Sequence, residues 1–357
     1  AILALKSLQT PLKTSAKTMG CCCAKYDKPK ELKSKHFPAF FQTLPKMDGK
    51  VVAVTGCTTG TGFVCAKACA QLGATVVLLN RSSERSEAAE KAIKEEAPQA
   101  FKLFTVHCDL QSFSSVRKAA EKLREEFAET GIDVLCNNAG IMAVADQATA
   151  DGCCVQMQTN HLSHFLLTKE LWPMLEKAAE LRGEARVVNH SSLARKGKKL
   201  DKKYLGKNGG NLGGDKRGCA PFGGPRWDRY QQTKLANLAF TLALRDRAEK
   251  ASSKVKCMVA EPGVAATNLQ VTTVRDGGMG SCLSNTVVSQ TAEDGAIGIT
   301  LCCCQPDAKS GSFYGPNGLK GMAKLLPPGP EEKLADQASR DMLWSESEAV
   351  TGVQFTV

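Results

Sequence analysis

Tyr230 and Lys234 stand four residues apart in Tyr230-Gln-Gln-Thr-Lys234, a spacing that places a phenol and an ammonium on one face of a helix. A phenol with a pKa of about 10 is a poor base at neutral pH, and a neighbouring cation favours the phenolate and brings it into catalytic range. The sequence supplies its own control for chance. Tyr26 and Lys30 share the spacing, but Pro29 interrupts the helix they need; Tyr204 and Tyr314 have no lysine four residues on. Asn137-Asn138-Ala139-Gly140 and Ser191-Ser192 each close a short apolar run, so they present amide and hydroxyl groups where strands end.

A second constellation suits phosphate. In Thr55-Gly56-Cys57-Thr58-Thr59-Gly60-Thr61-Gly62 an apolar run gives way to a helical pattern. Glycines there permit a tight turn and let backbone N–H groups and a helix N-terminus approach a pyrophosphate. The spacing G-x-x-x-G-x-G differs from the G-x-G-x-x-G fingerprint, and a structural Gly-rich turn is the competing reading. Gly56, Thr58, Gly60 and Gly62 are the candidates. Coenzyme choice turns on the end of the next run, Thr75 to Arg81. A carboxylate in that slot would accept from ribose hydroxyls and repel a 2′-phosphate; here neutral Asn80 precedes Arg81, with Ser82, Ser83 and Arg85 close by. A guanidinium forms forked, charge-assisted hydrogen bonds to phosphate, which points to NADP(H). Asp109-Leu110, after the third run, is expected at the adenine ring.

These groups need a scaffold that brings strand ends together. The apolar runs Val51–Thr55, Thr75–Leu79, Lys102–His107, Asp133–Cys136, Arg186–His190 and Val255–Ala260 are short and apolar at successive positions, as for strands buried on both faces. Helical patterns at about 61–72, 83–97, 112–128, 151–180, 229–249 and 290–303 alternate with them. The expectation is an α/β fold: a single doubly wound Rossmann-type parallel sheet flanked by helices. Residues 1–46 read as a basic N-terminal arm for targeting or anchoring, and residues 47–350 as the nucleotide-binding domain. Within it, 195–228 reads as an insertion and 264–289 as a substrate loop, both following strands.

The formal net charge is +11, and residues 1–50 carry ten lysines against three acids, so most of the excess sits in the arm. With no zinc-finger spacing and no aromatic-rich basic patch, nucleic acid is not an expected partner. The 16 cysteines are tandem or embedded in apolar segments, which suits buried thiols in a reducing compartment; no metal site is expected from their spacing. No apolar run reaches the length of a membrane span. If Met19 initiates, Met19-Gly20-Cys21-Cys22-Cys23 followed by a lysine run is a dual-acylation anchor; the alternative is the tail of a transit peptide. The expected location is therefore cytoplasmic or peripheral to a membrane, with a plastid as the third option. Homo-oligomerisation is left open.

Taken together, the chain resembles a short-chain dehydrogenase/reductase over roughly residues 48–350. It is most similar to the branch of retinol dehydrogenases, WW-domain oxidoreductases and light-dependent protochlorophyllide reductases. The residues that carry this are Asn160-His-Leu-Ser-His-Phe-Leu-Leu-Thr168, Tyr230 to Asn237, Pro262-Gly263 with Thr267, and Leu343-Trp-Ser-Glu-Ser-Glu348. The resemblance implies that Asn160 holds a water in a proton relay and Ser192, the second of its pair, hydrogen-bonds the substrate oxygen. It also implies that Tyr230 exchanges the proton, Lys234 lowers the Tyr230 pKa and binds the nicotinamide ribose, and Asn138, Pro262, Gly263 and Thr267 frame the nicotinamide. Thr233, His190 and Glu261 depart from the usual residues at their positions. His161 and His164 read as packing and hydrogen-bonding groups. The implied activity is hydride transfer between NADP(H) and an alcohol or carbonyl of a lipophilic molecule such as a retinoid, steroid or aldehyde. The alternatives are a protochlorophyllide-type double-bond reduction and a non-catalytic nucleotide-binding scaffold.

Overall fold

A computed structural model describes residues 26–98, 102–215, 222–280 and 289–357. The Met19–Lys25 segment of the acylation expectation lies outside the described residues. Runs rich in Val and Leu form β1 (Val51–Thr55), β2 (Thr75–Asn80), β3 (Leu103–His107), β4 (Val134–Asn137), β5 (Ala185–His190) and β6 (Val255–Ala260). β1, β2, β4 and β5 are buried along their whole length, because helices cover both faces of the sheet. Two short strands, β7 (Phe313–Gly315) and β8 (Lys324–Leu326), complete an eight-stranded sheet of order β3-β2-β1-β4-β5-β6-β7-β8. All pairings are parallel except β7 with β8. The order reverses between β1 and β4, and a crevice opens at such a switch point beyond the strands' carboxyl ends.

The helices are α1 (Phe37–Phe41), α2 (Gly60–Gln71), α3 (Glu84–Glu96), α4 (Phe113–Glu126), α5 (Ser163–Arg182), α6 (Pro225–Lys250), α7 (Asn268–Arg275), α8 (Ala292–Cys304) and α9 (Gln337–Thr351). None of those described is long and apolar enough to cross a membrane. One core lies between the sheet and α4, α5, α6 and α9, where the rings of Phe165, Trp172, Phe240, Trp344 and Phe355 pack together, mostly tilted or edge to face. The other lies under α2 and α8 and is built from Val, Ala and Cys.

Several boundaries differ from the sequence expectation. The helix expected over 151–180 is interrupted: a single α-turn at Val155–Met157 leads through a π-turn at Gln158–Leu162 into α5. The segment expected as loop 264–289 contains α7, and α6 begins inside the 195–228 insertion because Pro225 fits the first helical turn. The late Leu343–Glu348 motif is helical, with Trp344 in the aromatic cluster. The described part of the arm is docked: Phe37, Phe40 and Leu44 are buried against the second core.

That docking has an electrostatic clasp. α1 has no side-chain cap of its own. Instead Asp294, buried on α8, accepts from Ser34 Oγ and from the backbone N–H groups of Lys35, His36 and Phe37 at 2.9 Å each. Burial pushes the Asp294 carboxyl up, but these donors prevail and hold it below its ordinary value. Tyr26 Oη donates to Gln270 on α7 at 2.8 Å, and Arg275 donates to the Asp27 carbonyl, so the arm also touches the helix that follows Thr267. Replacing Asp294 with Ala should free the arm at a cost of about 2 kcal/mol, seen as cleavage at the arm lysines in limited proteolysis. The clasp needs the ionised carboxylate, so its contribution should be present above the unfolded carboxyl pKa and fade as the solution is acidified below it. Proteolysis unchanged in the variant would show that the apolar contacts suffice.

Candidate active site

The site forms at the ends of β1, β4 and β5. Thr55, the last residue of β1, accepts on Oγ1 from the backbone N–H groups of Asn138 and Ala139, both at 3.0 Å. Asn138 returns the contact through Nδ2, which donates to the carbonyls of Thr55 and Gly56 at 2.9 and 3.3 Å. Its Oδ1 accepts from Thr61 at 3.1 Å and meets His190 Nδ1 at 2.9 Å. The β1 loop is thereby pressed against β4. A Cβ on Gly62 would lie 2.2 Å from Asn138 Nδ2, and one on Gly56 would lie 2.8 Å from the Ala139 side chain. These positions need glycine for close approach, and Gly56 also has φ +72°.

The loop leads into α2, whose N-terminus carries no side-chain cap and opens into a cleft of about 680 Å³. Gly56, Thr58, Gly60, Asn138, Pro262, Gly263 and Thr267 line it, as do Arg81, Asp109 and Leu110. Gly62 sits behind the wall as a spacer. Uncapped N–H donors at the head of a cleft fit a pyrophosphate. Asn80 proves to be an internal brace: its Oδ1 accepts from Cys57 N–H at 2.7 Å and its Nδ2 donates to Ser86 at 3.1 Å. Arg81 is exposed at the cleft's edge beside Ser83 and Arg85, and among the described residues no carboxylate pairs with either arginine.

Tyr230 and Lys234 enter the same cleft from the first turns of α6, which packs on β5 and β6. Both are buried. Lys234 Nζ donates to the His190 carbonyl at 2.9 Å and lies 5.8 Å from the centre of the Tyr230 ring. Burial pushes the lysine down to about 8. Burial also pushes the Tyr230 phenol up, to about 12, with its hydrogen bond to Ser192 opposing and the Glu261 charge adding to the rise. Loss of hydration is the larger effect on the phenol here, and the Lys234 ammonium, which points to a carbonyl, does not reverse it. Ser192 Oγ also accepts from Ala194 N–H, whereas Ser191 is spent on the Lys234 carbonyl.

Asn160 sits in the π-turn, wholly buried. Its side chain clamps the backbone N–H and C=O of Ile141 and donates to Thr233 Oγ1 at 2.9 Å. Its carbonyl meets His164 Nδ1 at 3.0 Å, and His164 Nε2 meets Thr55 Oγ1 at 2.9 Å. Burial lowers the His164 pKa to about 4, so the ring is neutral and the Nδ1–H donates to the Asn160 carbonyl. His161 is likewise neutral and bonded to Ser347. Sequence reasoning missed the apolar wall around Tyr230, formed by Met142, Trp227 and Met279. Trp227 meets the Tyr230 ring edge-on at 5.8 Å. Its position three residues ahead, on the same helical face, was the available signal. Glu261, whose charge acts on Tyr230, belongs to a buried ionic cluster in which Arg195 joins Glu261 and Glu331 and stacks 3.9 Å over Phe313.

A profile of the short chain dehydrogenases matches residues 50–202. Retinol dehydrogenase 13 of Homo sapiens is 33% identical over 86% of this chain and 86% of its own length. The chain belongs to the short-chain dehydrogenases. It lies in their retinol dehydrogenase-like branch. Retinol dehydrogenase 14 of Mus musculus is 32% identical over 86% of this chain and 87% of itself. An uncharacterised protein from Mycobacterium Paratuberculosis, solved by crystallography, superposes with a TM-score of 0.68 at 32% identity, covering 89% of this chain and 98% of that one.

In this oxidoreductase the buried lysine is costly to the fold. Its pKa is lower folded than unfolded, so the unfolded chain binds more protons between about 8 and the ordinary lysine value, and stability should rise with pH across that window. Lys234→Met should therefore stabilise the protein at neutral pH by about 1–3 kcal/mol, with the gain shrinking in alkali. The His190 carbonyl keeps Asn237 Nδ2 as a donor at 3.0 Å, so no acceptor is orphaned. Denaturant melts at two pH values check this, and a destabilised variant would refute it.

Proposed function

We propose that this chain is an NADP(H)-dependent oxidoreductase that interconverts an alcohol and a carbonyl on a lipophilic small molecule, with Tyr230 as proton donor and acceptor. The observation that carries this reading is that Tyr230, Ser192 and Lys234 line the same cleft as the uncapped α2 N-terminus and the Gly-rich loop. Nicotinamide would supply or accept the hydride. Gly56, Thr58 and Gly60 hold the pyrophosphate by backbone donors; Asp109 and Leu110 border the adenine; Asn138, Pro262, Gly263 and Thr267 frame the nicotinamide side. Arg81 takes the 2′-phosphate.

Tyr230 Oη gives its proton to the substrate oxygen during reduction and takes it back during oxidation. Ser192 Oγ orients that oxygen. Lys234, a cation at neutral pH, holds the nicotinamide ribose and stabilises negative charge as the phenol gives up its proton. Asn160 acts through the clamp on Ile141 and Thr233, which fixes the wall opposite Lys234. The apolar wall of Met142, Trp227 and Met279 suits a retinoid-, steroid- or aldehyde-like substrate, in keeping with the relatives called retinol dehydrogenases.

An NADPH-consumption screen against retinal, medium-chain aldehydes, steroids and quinones tests the reading; no turnover with any carbonyl would overturn it. On an accepted substrate, Tyr230→Phe should lower kcat by about a hundredfold or more while leaving coenzyme affinity nearly intact. Alcohol oxidation should rise with pH through the neutral range, because only the deprotonated phenol accepts a proton, and carbonyl reduction should not share that rise. Arg81→Ala should weaken NADPH binding far more than NADH binding, erasing a preference of about tenfold, or about 1.4 kcal/mol. Equal Michaelis constants for both coenzymes in the parent protein would remove Arg81 from that role.

A further inference from the structure

Between α2, β4 and α8 lies a group of thiols that the proposed chemistry does not use. Cys65 comes from α2, Cys136 from β4 and Cys303 from α8, and their sulfurs all lie within 4.8 Å of one another. All three are buried. The Cys65 and Cys303 sulfurs are 3.8 Å apart. Thr300, one turn before Cys303, is wholly buried beside Cys65, and its Oγ1 makes no hydrogen bond within ordinary limits. A buried hydroxyl without a partner is costly and calls for an explanation.

We propose that Cys65, Cys136 and Cys303 form a three-sulfur site for a single thiophilic monovalent ion, cuprous copper above all, with Thr300 at its edge. The spacing fits: three sulfurs each about 2.3 Å from a central ion stand about 4 Å apart. The coordination number selects the ion. Structural zinc takes four ligands, whereas among the described residues only three ligand atoms converge here; soft sulfur donors and low coordination suit Cu(I). When Cu(I) enters, the sulfurs that bind it release their thiol protons to solvent, Cu–S bonds replace S–H bonds, and no atom changes oxidation state. An ion there would fasten α2, β4 and α8 together beneath the coenzyme loop.

The test uses the full chain with Cys21, Cys22 and Cys23 replaced by Ala, since those tandem thiols would bind copper themselves. Reduced protein is equilibrated anaerobically with Cu(I)-bicinchoninate in urea below the unfolding transition, which speeds local opening, and copper in the desalted protein is counted. The expected result is one tightly held equivalent, three sulfur neighbours by X-ray absorption, and a raised melting temperature. Uptake should fall by about tenfold or more in Cys136→Ala and in Cys303→Ala, and persist in Cys153→Ala. Copper that is lost on desalting, that shows two sulfur neighbours, or that is retained in both core variants would overturn the proposal. If a core variant fails to fold, the sulfur count in the parent protein decides.

Discussion

The arrangement depends on one polar junction inside an otherwise apolar sheet, where Thr55, Asn138 and His190 close the ends of β1, β4 and β5. Asn138 spends both its amide hydrogens and its oxygen on neighbours, so it has no freedom left to rotate. From this junction every other group takes its place. Thr55 fixes the Gly-rich loop and, through His164, the carbonyl of Asn160. His190 offers its carbonyl to Lys234. Buried networks of this kind are stable only when nearly all members are satisfied, which is why a small change at the junction should be felt across the cleft.

Electrostatics around Tyr230 are dominated by dryness. Lys234 and the phenol each lose hydration, and the two shifts run in opposite directions along the pH scale, bringing both groups toward their neutral forms. Glu261, whose carboxyl burial pushes up against the pull of Arg195, adds a negative neighbour that favours the protonated phenol. A buried ion cluster of this sort contributes little net stability, because desolvation consumes most of the attraction. Its effect is to fix the backbone just before Pro262 and Gly263.

Much of this was legible in the sequence, for definite reasons. Strands buried on both faces announce themselves as runs such as Val51–Thr55, and a tyrosine and lysine four apart are meaningful once a strand precedes them. What escaped notice was short or non-local. β7 and β8 have three residues each, too few for a periodic signal. The π-turn at Gln158–Leu162 looks like ordinary helix in composition, since its extra residue per turn comes from tertiary packing. Asn80 stands where a ribose contact would stand, yet it faces inward because the Cys57 N–H needs an acceptor. The meeting of Cys65, Cys136 and Cys303 joins segments far apart in the chain, which no spacing rule reveals.

The clasp on the arm sets an order of events during synthesis. Phe37 and the carboxylate that caps its helix are 257 residues apart. At ordinary elongation rates of about 5–20 residues per second, roughly 13–50 s pass between the emergence of one and of the other. During that interval the surface on which the arm packs does not yet exist, while β1 and β2 can already pair. The described arm therefore leaves the ribosome long before the surface that receives it and is among the last parts to be folded. Any factor that reads the arm has its opportunity then, before Asp294 arrives and closes it down.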